Sequence, residues 1–121
     1  MSRVLLDHSV PDGLRRRLPG HAVSTAYDEG WDRLGNGELL TQAEAGGFAV
    51  LVTADRNMRH QQNLAGRTTA LVVLPTNRWK TVREHGERIA EAVGQAAPGS
   101  YAEVAFNPQL RPGRRPKGPG P

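Results

Sequence analysis

The sequence contains no cysteine, and only 5% of its residues are aromatic. Without cysteine there can be no disulfide, thiol nucleophile or cysteine-ligated zinc, and we expect a cytoplasmic location. No apolar run approaches the roughly 20 residues of a membrane-spanning helix, so we expect no membrane partner. The N-terminus lacks the basic flank, apolar run and small-residue cleavage site of a signal peptide, so we expect no export signal.

Acidic residues are absent from residues 107–121, where proline, glycine and four cations stand: Arg111, Arg114, Arg115 and Lys117. The chain has 16 basic and 12 acidic residues, so its net charge of +4 belongs to this segment and the rest is formally neutral. A neutral body gives no general electrostatic case for nucleic acid. With almost nothing apolar to bury, residues 107–121 are predicted to be a disordered basic tail. We expect one folded domain over residues 1–106.

Short apolar runs rich in valine and leucine predict the strands of a buried sheet. Three of them are strongly apolar: Arg3–Leu6, Ala49–Thr53 and Thr69–Leu74. Two weaker ones follow the same pattern, with the first expected at the sheet edge: Ala22–Thr25 and Tyr101–Phe106.

Helical patterns separate these strands. Apolar spacing predicts a helix over His8–Leu18, a second from an N-cap at Asn36 to Gly46, and a third over Trp79–Val93. This alternation predicts an α/β fold, a three-layer α/β/α sandwich around a mainly parallel sheet of about five strands. Right-handed crossovers would bring the carboxyl ends of the strands to one edge.

Two of the predicted strands are followed closely by an aspartate: Asp7 is the first residue after Leu6, and Asp55 is the second after Thr53. Ligands of open α/β sheets bind at the carboxyl ends of the strands, so both carboxylates are candidates for one site. Two carboxylates in one cleft repel each other unless a cation lies between them, and Mg²⁺ or Mn²⁺ is the usual cation. On this argument, asparagine at either position should stabilise the metal-free fold and weaken Mn²⁺ binding.

Four motifs together resemble a group of small bacterial PIN-like proteins, over Arg3 to about Val104. They are Leu5-Leu6-Asp7-His8-Ser9-Val10-Pro11, Gly30-Trp31 with Asn36-Gly37-Glu38-Leu39-Leu40, Val52-Thr53-Ala54-Asp55-Arg56-Asn57, and Gln61-Gln62-Asn63-Leu64-Ala65-Gly66-Arg67. Members of the group are mostly uncharacterised and are assigned to the PIN-like nucleases; some are thought to be toxins of toxin–antitoxin pairs.

The resemblance implies a divalent-metal-dependent endoribonuclease that uses Mg²⁺ or Mn²⁺, with RNA as substrate and an antitoxin protein as partner. Asp7 matches the acid of the first strand, Asp55 the acid of the Thr-x-Asp turn, and Glu38 the acid carried by a helix. Asn57 and His8 depart from the pattern, since acids often stand at both positions in relatives. Three acids favour one metal ion over two.

Other polar residues near these acids are candidates for lesser roles. His8 is a candidate accessory group, either a ligand or a hydrogen-bonding residue at the helix start. The stretch after Asp55 is predicted to line the cleft and hold substrate, through Arg56, Asn57, Arg59, Gln61, Gln62 and Asn63. Glu38 suits capping of its helix as well as catalysis. Arg15, Arg16 and Arg17 suit a solvated helix face or a phosphate contact.

Two other functions stay open. A phospho-receiver domain has a similar length and alternation, and Asp7, Asp55 and Thr76 mimic its layout, although His8 replaces a second acid and no lysine lies near the end of the Tyr101–Phe106 strand. A PIN-like protein that has lost catalysis and acts as a binding module is the other alternative. Homodimer formation is left open by the sequence.

Overall fold

The computed structural model describes residues 3–55 and 66–106. Both ranges lie within the predicted domain of residues 1–106. The predicted substrate-holding residues Arg56, Asn57, Arg59, Gln61, Gln62 and Asn63 lie outside the described ranges, and so does the predicted tail, residues 107–121.

Five strands form one parallel sheet: β1 (Arg3–Leu6), β2 (Ala22–Thr25), β3 (Val50–Thr53), β4 (Ala70–Val73) and β5 (Tyr101–Glu103). Their order is β2-β1-β3-β4-β5, and every neighbouring pair is parallel. β1 therefore lies between β2 and β3, with Leu6 opposite Thr25 on one side and Val52 on the other. The sheet confirms the predicted α/β class, and β2 is an edge strand as expected.

The helices cover both faces of this sheet, because alternate strand residues point to opposite sides. Leu5, Leu51 and Leu71 pack with Leu39 and other residues of helix α1 (Asn36–Ala45). The opposite face carries, on three neighbouring strands, Val4, Val50 and Ala70. It packs against a 3₁₀ helix (Asp12–Arg17) and helices α2 (Trp79–Glu84) and α3 (Gly86–Gln95). Three layers result, as the sequence predicted.

Three local predictions about helices are wrong. The segment His8–Leu18 forms only the short 3₁₀ helix. α1 is capped by Gly35 and not by Asn36, which is already its first residue. The predicted helix Trp79–Val93 is broken at His85, whose ring Nδ1–H donates to the Thr81 carbonyl oxygen at 2.9 Å. None of the helices in residues 3–55 and 66–106 is long and apolar enough to cross a membrane.

The crossovers depart from the expected uniform right hand. The connection from β1 to β2 contains the 3₁₀ helix and runs toward the β2 edge of the sheet. The connection from β4 to β5 contains α2 and α3 and runs toward the opposite edge, at β5. Both connections pack on the same face. Two parallel crossovers that run in opposite directions over one face have opposite hands, so one of the two is left-handed, which is rare.

Candidate active site

Asp7 follows β1 at the carboxyl edge of the sheet. Its backbone N–H donates to the carbonyl oxygen of Val52 in β3 at 3.0 Å, which extends the parallel pairing by one residue. The chain leaves β1 for β2 on one side, and β3 lies on the other, so Asp7 stands where the strand order reverses. Ligand crevices in open α/β sheets form at this point. Asp7 is nevertheless only 2% exposed.

Three hydrogen bonds hold the Asp7 carboxylate. Oδ1 accepts from the backbone N–H of Ser9 at 2.6 Å and from its hydroxyl at 2.5 Å. Oδ2 accepts from the Thr53 hydroxyl at 2.5 Å. A carboxylate offers about four acceptor positions, so about one remains. Asp7 forms no salt bridge within the described ranges, where the pairs are Arg15–Asp12, Arg15–Asp28 and Arg67–Glu44.

The two hydroxyls also fix the chain that follows β3. Thr53 Oγ1 accepts from the backbone N–H of Asp55 at 3.0 Å, and Ser9 Oγ accepts from the backbone N–H of Ala54 at 3.0 Å. Asp7 and Asp55 therefore lie at the same edge and are linked through Thr53. The sequence did not predict that Ser9 and Thr53 would take part in this hydrogen-bond network. Their signals were the Asp-x-Ser spacing after β1 and the Thr-x-Asp spacing after β3.

Asp55 is half-buried and is oriented from the other face of the sheet. Its Oδ2 accepts from the side-chain amide of Asn36 at 3.0 Å. Asn36 opens α1, so the start of this helix is attached to the end of β3. This bond explains the incorrect N-cap prediction, because the side chain of Asn36 contacts Asp55 while Gly35 caps the helix.

Glu38 is placed differently from the two aspartates. Its Oε1 accepts from the backbone N–H of Gly35 at 3.3 Å, which caps α1. It lines a cavity of about 510 Å³ with Thr41 and Arg67, and neither Asp7 nor Asp55 borders that cavity. No group of three or more histidine or acidic side chains that could hold a metal ion is present in the described part of the chain. A ligand role for Glu38 stays a prediction.

A cavity of about 870 Å³ opens beside Asp7 on the β2 side. Its lining includes Asp7, His8, Arg15, Arg16, Tyr27 and Asp28, and His8 is exposed there. The Arg15 guanidinium donates to the Asp28 carboxylate at 2.6 Å, and the backbone N–H of Thr25 donates to it as well. Both bonds lower the pKa of Asp28. The bond to Asp28 raises the pKa of Arg15. The structure thus places His8 beside Asp7 and ties one of the three clustered arginines to acids.

Comparison of the sequence with protein-family models gives no match, and comparisons with curated proteins and with solved structures give none either.

Proposed function

We propose that the protein is a PIN-like endoribonuclease that depends on Mg²⁺ or Mn²⁺, with Asp7 and Asp55 as the carboxylates that hold the ion. One observation carries the proposal. Asp7 is a buried carboxylate at the reversal of the strand order, and within the described ranges only neutral groups bond to it. A buried charge is costly unless it is paired or coordinates a metal. A cation at this edge would offset that cost.

The donors present suit a hard divalent cation. Magnesium prefers oxygen ligands, keeps several of its waters and is commonly held by only one or two carboxylates together with substrate phosphates. Asp7 has about one acceptor position left after its three hydrogen bonds. When bound, the ion would supply an activated water and stabilise the charge that develops on the phosphate.

The neighbouring side chains would orient these ligands. Ser9 and Thr53 fix both oxygens of Asp7, and Asn36 fixes one oxygen of Asp55. Partners of this kind set ligand orientation and usually affect metal affinity when they are removed. Thr53 contacts Asp7 through its hydroxyl and Asp55 through its backbone N–H, so it would keep the two acids in register.

The wider biological setting rests on the resemblance alone. We propose that the protein acts in the cytoplasm on RNA as the toxin of a toxin–antitoxin pair. The predicted substrate-holding residues after Asp55, with Glu38 and His8, belong to the proposal on the same basis.

The test of activity is RNA cleavage by purified protein with and without Mn²⁺. Asp7→Asn and Asp55→Asn should each abolish Mn²⁺-dependent cleavage, while Glu91→Gln, at an exposed acid of α3 that does not border the cavity beside Asp7, should leave it unchanged. Circular dichroism verifies that each variant is folded. Full cleavage by both asparagine variants, in preparations free of host nuclease, would refute the proposal.

The hydrogen bonds change the stability expected of the Asp7 variant. Repulsion between the two carboxylates, taken alone, would make the metal-free fold of both asparagine variants more stable than that of the wild type. An asparagine amide in place of Asp7 has one acceptor oxygen and two N–H donors, whereas three donors surround the native carboxylate. We now expect Asp7→Asn to lower the free energy of unfolding by about 1–3 kcal/mol, because a buried donor loses its acceptor.

One observation favours the receiver-like alternative. The strand order β2-β1-β3-β4-β5 is the flavodoxin-like order, which receiver domains also have. With right-handed crossovers throughout, that order places the β1–β2 and β4–β5 connections on opposite faces, whereas here they share one face. The receiver hypothesis predicts a stoichiometric adduct on Asp55 after incubation with acetyl phosphate; we expect none in intact-mass spectra. Metal binding without turnover on any RNA would instead favour an inactive binding protein.

A further inference from the structure

Tyr27 is a large aromatic residue that the fold leaves in solvent. Its exposed fraction is 76%, whereas Tyr101, the other exposed large hydrophobic residue of the described ranges, is at 38%. Tyr27 follows β2 at the carboxyl edge, one residue beyond Ala26, whose N–H donates to the Leu6 carbonyl oxygen at 2.8 Å. Neighbouring strands lie about 4.8 Å apart, so Tyr27 is close in space to the end of β1 and to Asp7.

The turn that carries Tyr27 is held firmly. The Thr25 hydroxyl accepts from the N–H of Asp28 at 3.0 Å, and the carbonyl oxygen of Tyr27 accepts from Gly30 at 3.0 Å. Arg15 ties Asp28 to the 3₁₀ helix at 2.6 Å. The backbone of this turn is therefore already ordered, so binding a ligand through Tyr27 would restrict the ring and not the turn.

Tyr27 also borders the cavity of about 870 Å³ that Asp7 lines. This volume is in the range of small-molecule sites. Arg15 is paired with Asp12 and Asp28, whereas Arg16 is exposed and forms no salt bridge in residues 3–55 and 66–106. The cavity therefore combines an aromatic ring, the exposed guanidinium of Arg16 and the proposed catalytic edge, and Arg15 pairs with two of the four aspartates that line it, Asp7, Asp12, Asp28 and Asp32.

We propose that this cavity is a subsite for one unpaired nucleotide of the RNA substrate, with its base stacked on Tyr27 and its phosphate at Arg16. Unpaired bases stack on aromatic side chains, and arginine binds the adjoining backbone. A duplex keeps its bases stacked inside and offers none to Tyr27. The subsite rests on the proposed function and adds a preference for single-stranded RNA next to the cleaved bond.

The test is fluorescence anisotropy of a labelled single-stranded hexaadenylate and of the same strand in a duplex. It uses the full chain at low salt with EDTA, which prevents metal-dependent cleavage of the probe. The wild-type protein should bind the single strand more tightly than the duplex. Tyr27→Ala should weaken single-strand binding about tenfold, while Tyr27→Phe, which keeps the ring, should bind within about twofold of the wild type. Tyr101→Ala is the matched control and should bind as the wild type does.

Three results would overturn the subsite. The first is that the wild-type protein does not bind the single strand. The second is that Tyr27→Ala and Tyr101→Ala bind it equally well. The third is that Tyr27→Ala changes the sedimentation behaviour of the protein but not its affinity for RNA. The last would make Tyr27 a contact between two copies of the chain. Mn²⁺ titration of Asp7→Asn judges the metal site separately, so the subsite can fail while the proposed metal site stands.

Discussion

Thr53→Val tests whether one buried hydroxyl organises the site. Valine has nearly the same shape as threonine, so the change removes the hydroxyl and leaves the packing of β3 in place. Thr53 is 0% exposed, and its Oγ1 both donates to Asp7 at 2.5 Å and accepts from the N–H of Asp55 at 3.0 Å. The substitution removes both bonds at once.

The expected loss follows from these two bonds. A hydrogen bond to a charged group contributes about 1.5–3 kcal/mol, and the N–H of half-buried Asp55 can recover part of its bond from water. We expect Thr53→Val to lower the free energy of unfolding by about 3 kcal/mol. Thr69→Val is the matched control. Thr69 is also 0% exposed, but its hydroxyl donates at 2.8 Å to a neutral acceptor, the Phe48 carbonyl oxygen, so we expect about 1 kcal/mol.

Urea unfolding, followed by far-ultraviolet circular dichroism, measures both values. The comparison requires the slope of free energy against urea to be the same in the two variants, so that stability alone has changed. A loss for Thr53→Val equal to or smaller than the loss for Thr69→Val would refute the argument that Thr53 anchors a charged carboxylate.

Two further predictions concern the surroundings of the site. Because the Arg15 hydrogen bond lowers the pKa of Asp28, Arg15→Gln should raise that pKa toward 3.8, and an unchanged carboxyl titration by NMR would contradict this. The pair should stabilise the fold fully above pH 3.8, and this stabilisation should be lost as the pH falls through the lowered pKa of Asp28. A Cβ at Gly13 would lie 2.8 Å from the Trp79 ring, so Gly13→Ala should lower the melting temperature. Gly94→Ala, in open space on α3, should raise the melting temperature, and a shift in the opposite direction for either variant would contradict the expectation for that variant.

The sheet and its acids could be predicted from the sequence because their signals are local. Short apolar runs predicted all five strands, and an aspartate one or two residues after a strand lies near that strand's carboxyl edge. The Asp-x-Ser spacing is local too, because Ser9 bonds to a carboxylate two residues away. The contact between Thr53 and Asp7 depends on the pairing of β1 with β3, which no local pattern specifies.

The break at His85 depends on a distant residue as well as a local bond. The His85 ring stacks on Phe106 with centroids 4.2 Å apart and an angle of 5° between the planes. Phe106 follows β5, so the helix pattern over Trp79–Val93 carried no sign of it. The hand of the crossovers is likewise set by the face on which each helix packs, which spacing along the chain does not determine.

The most direct test of the central claim is calorimetric titration of Mn²⁺ into the wild-type protein, Asp7→Asn, Asp55→Asn and the control Asp12→Asn. If Asp7 and Asp55 hold one ion, each of their variants should lose about tenfold or more in affinity, while Asp12→Asn binds as the wild type does. Unchanged Mn²⁺ affinity in both Asp7→Asn and Asp55→Asn would contradict the claim that these two acids form a metal site.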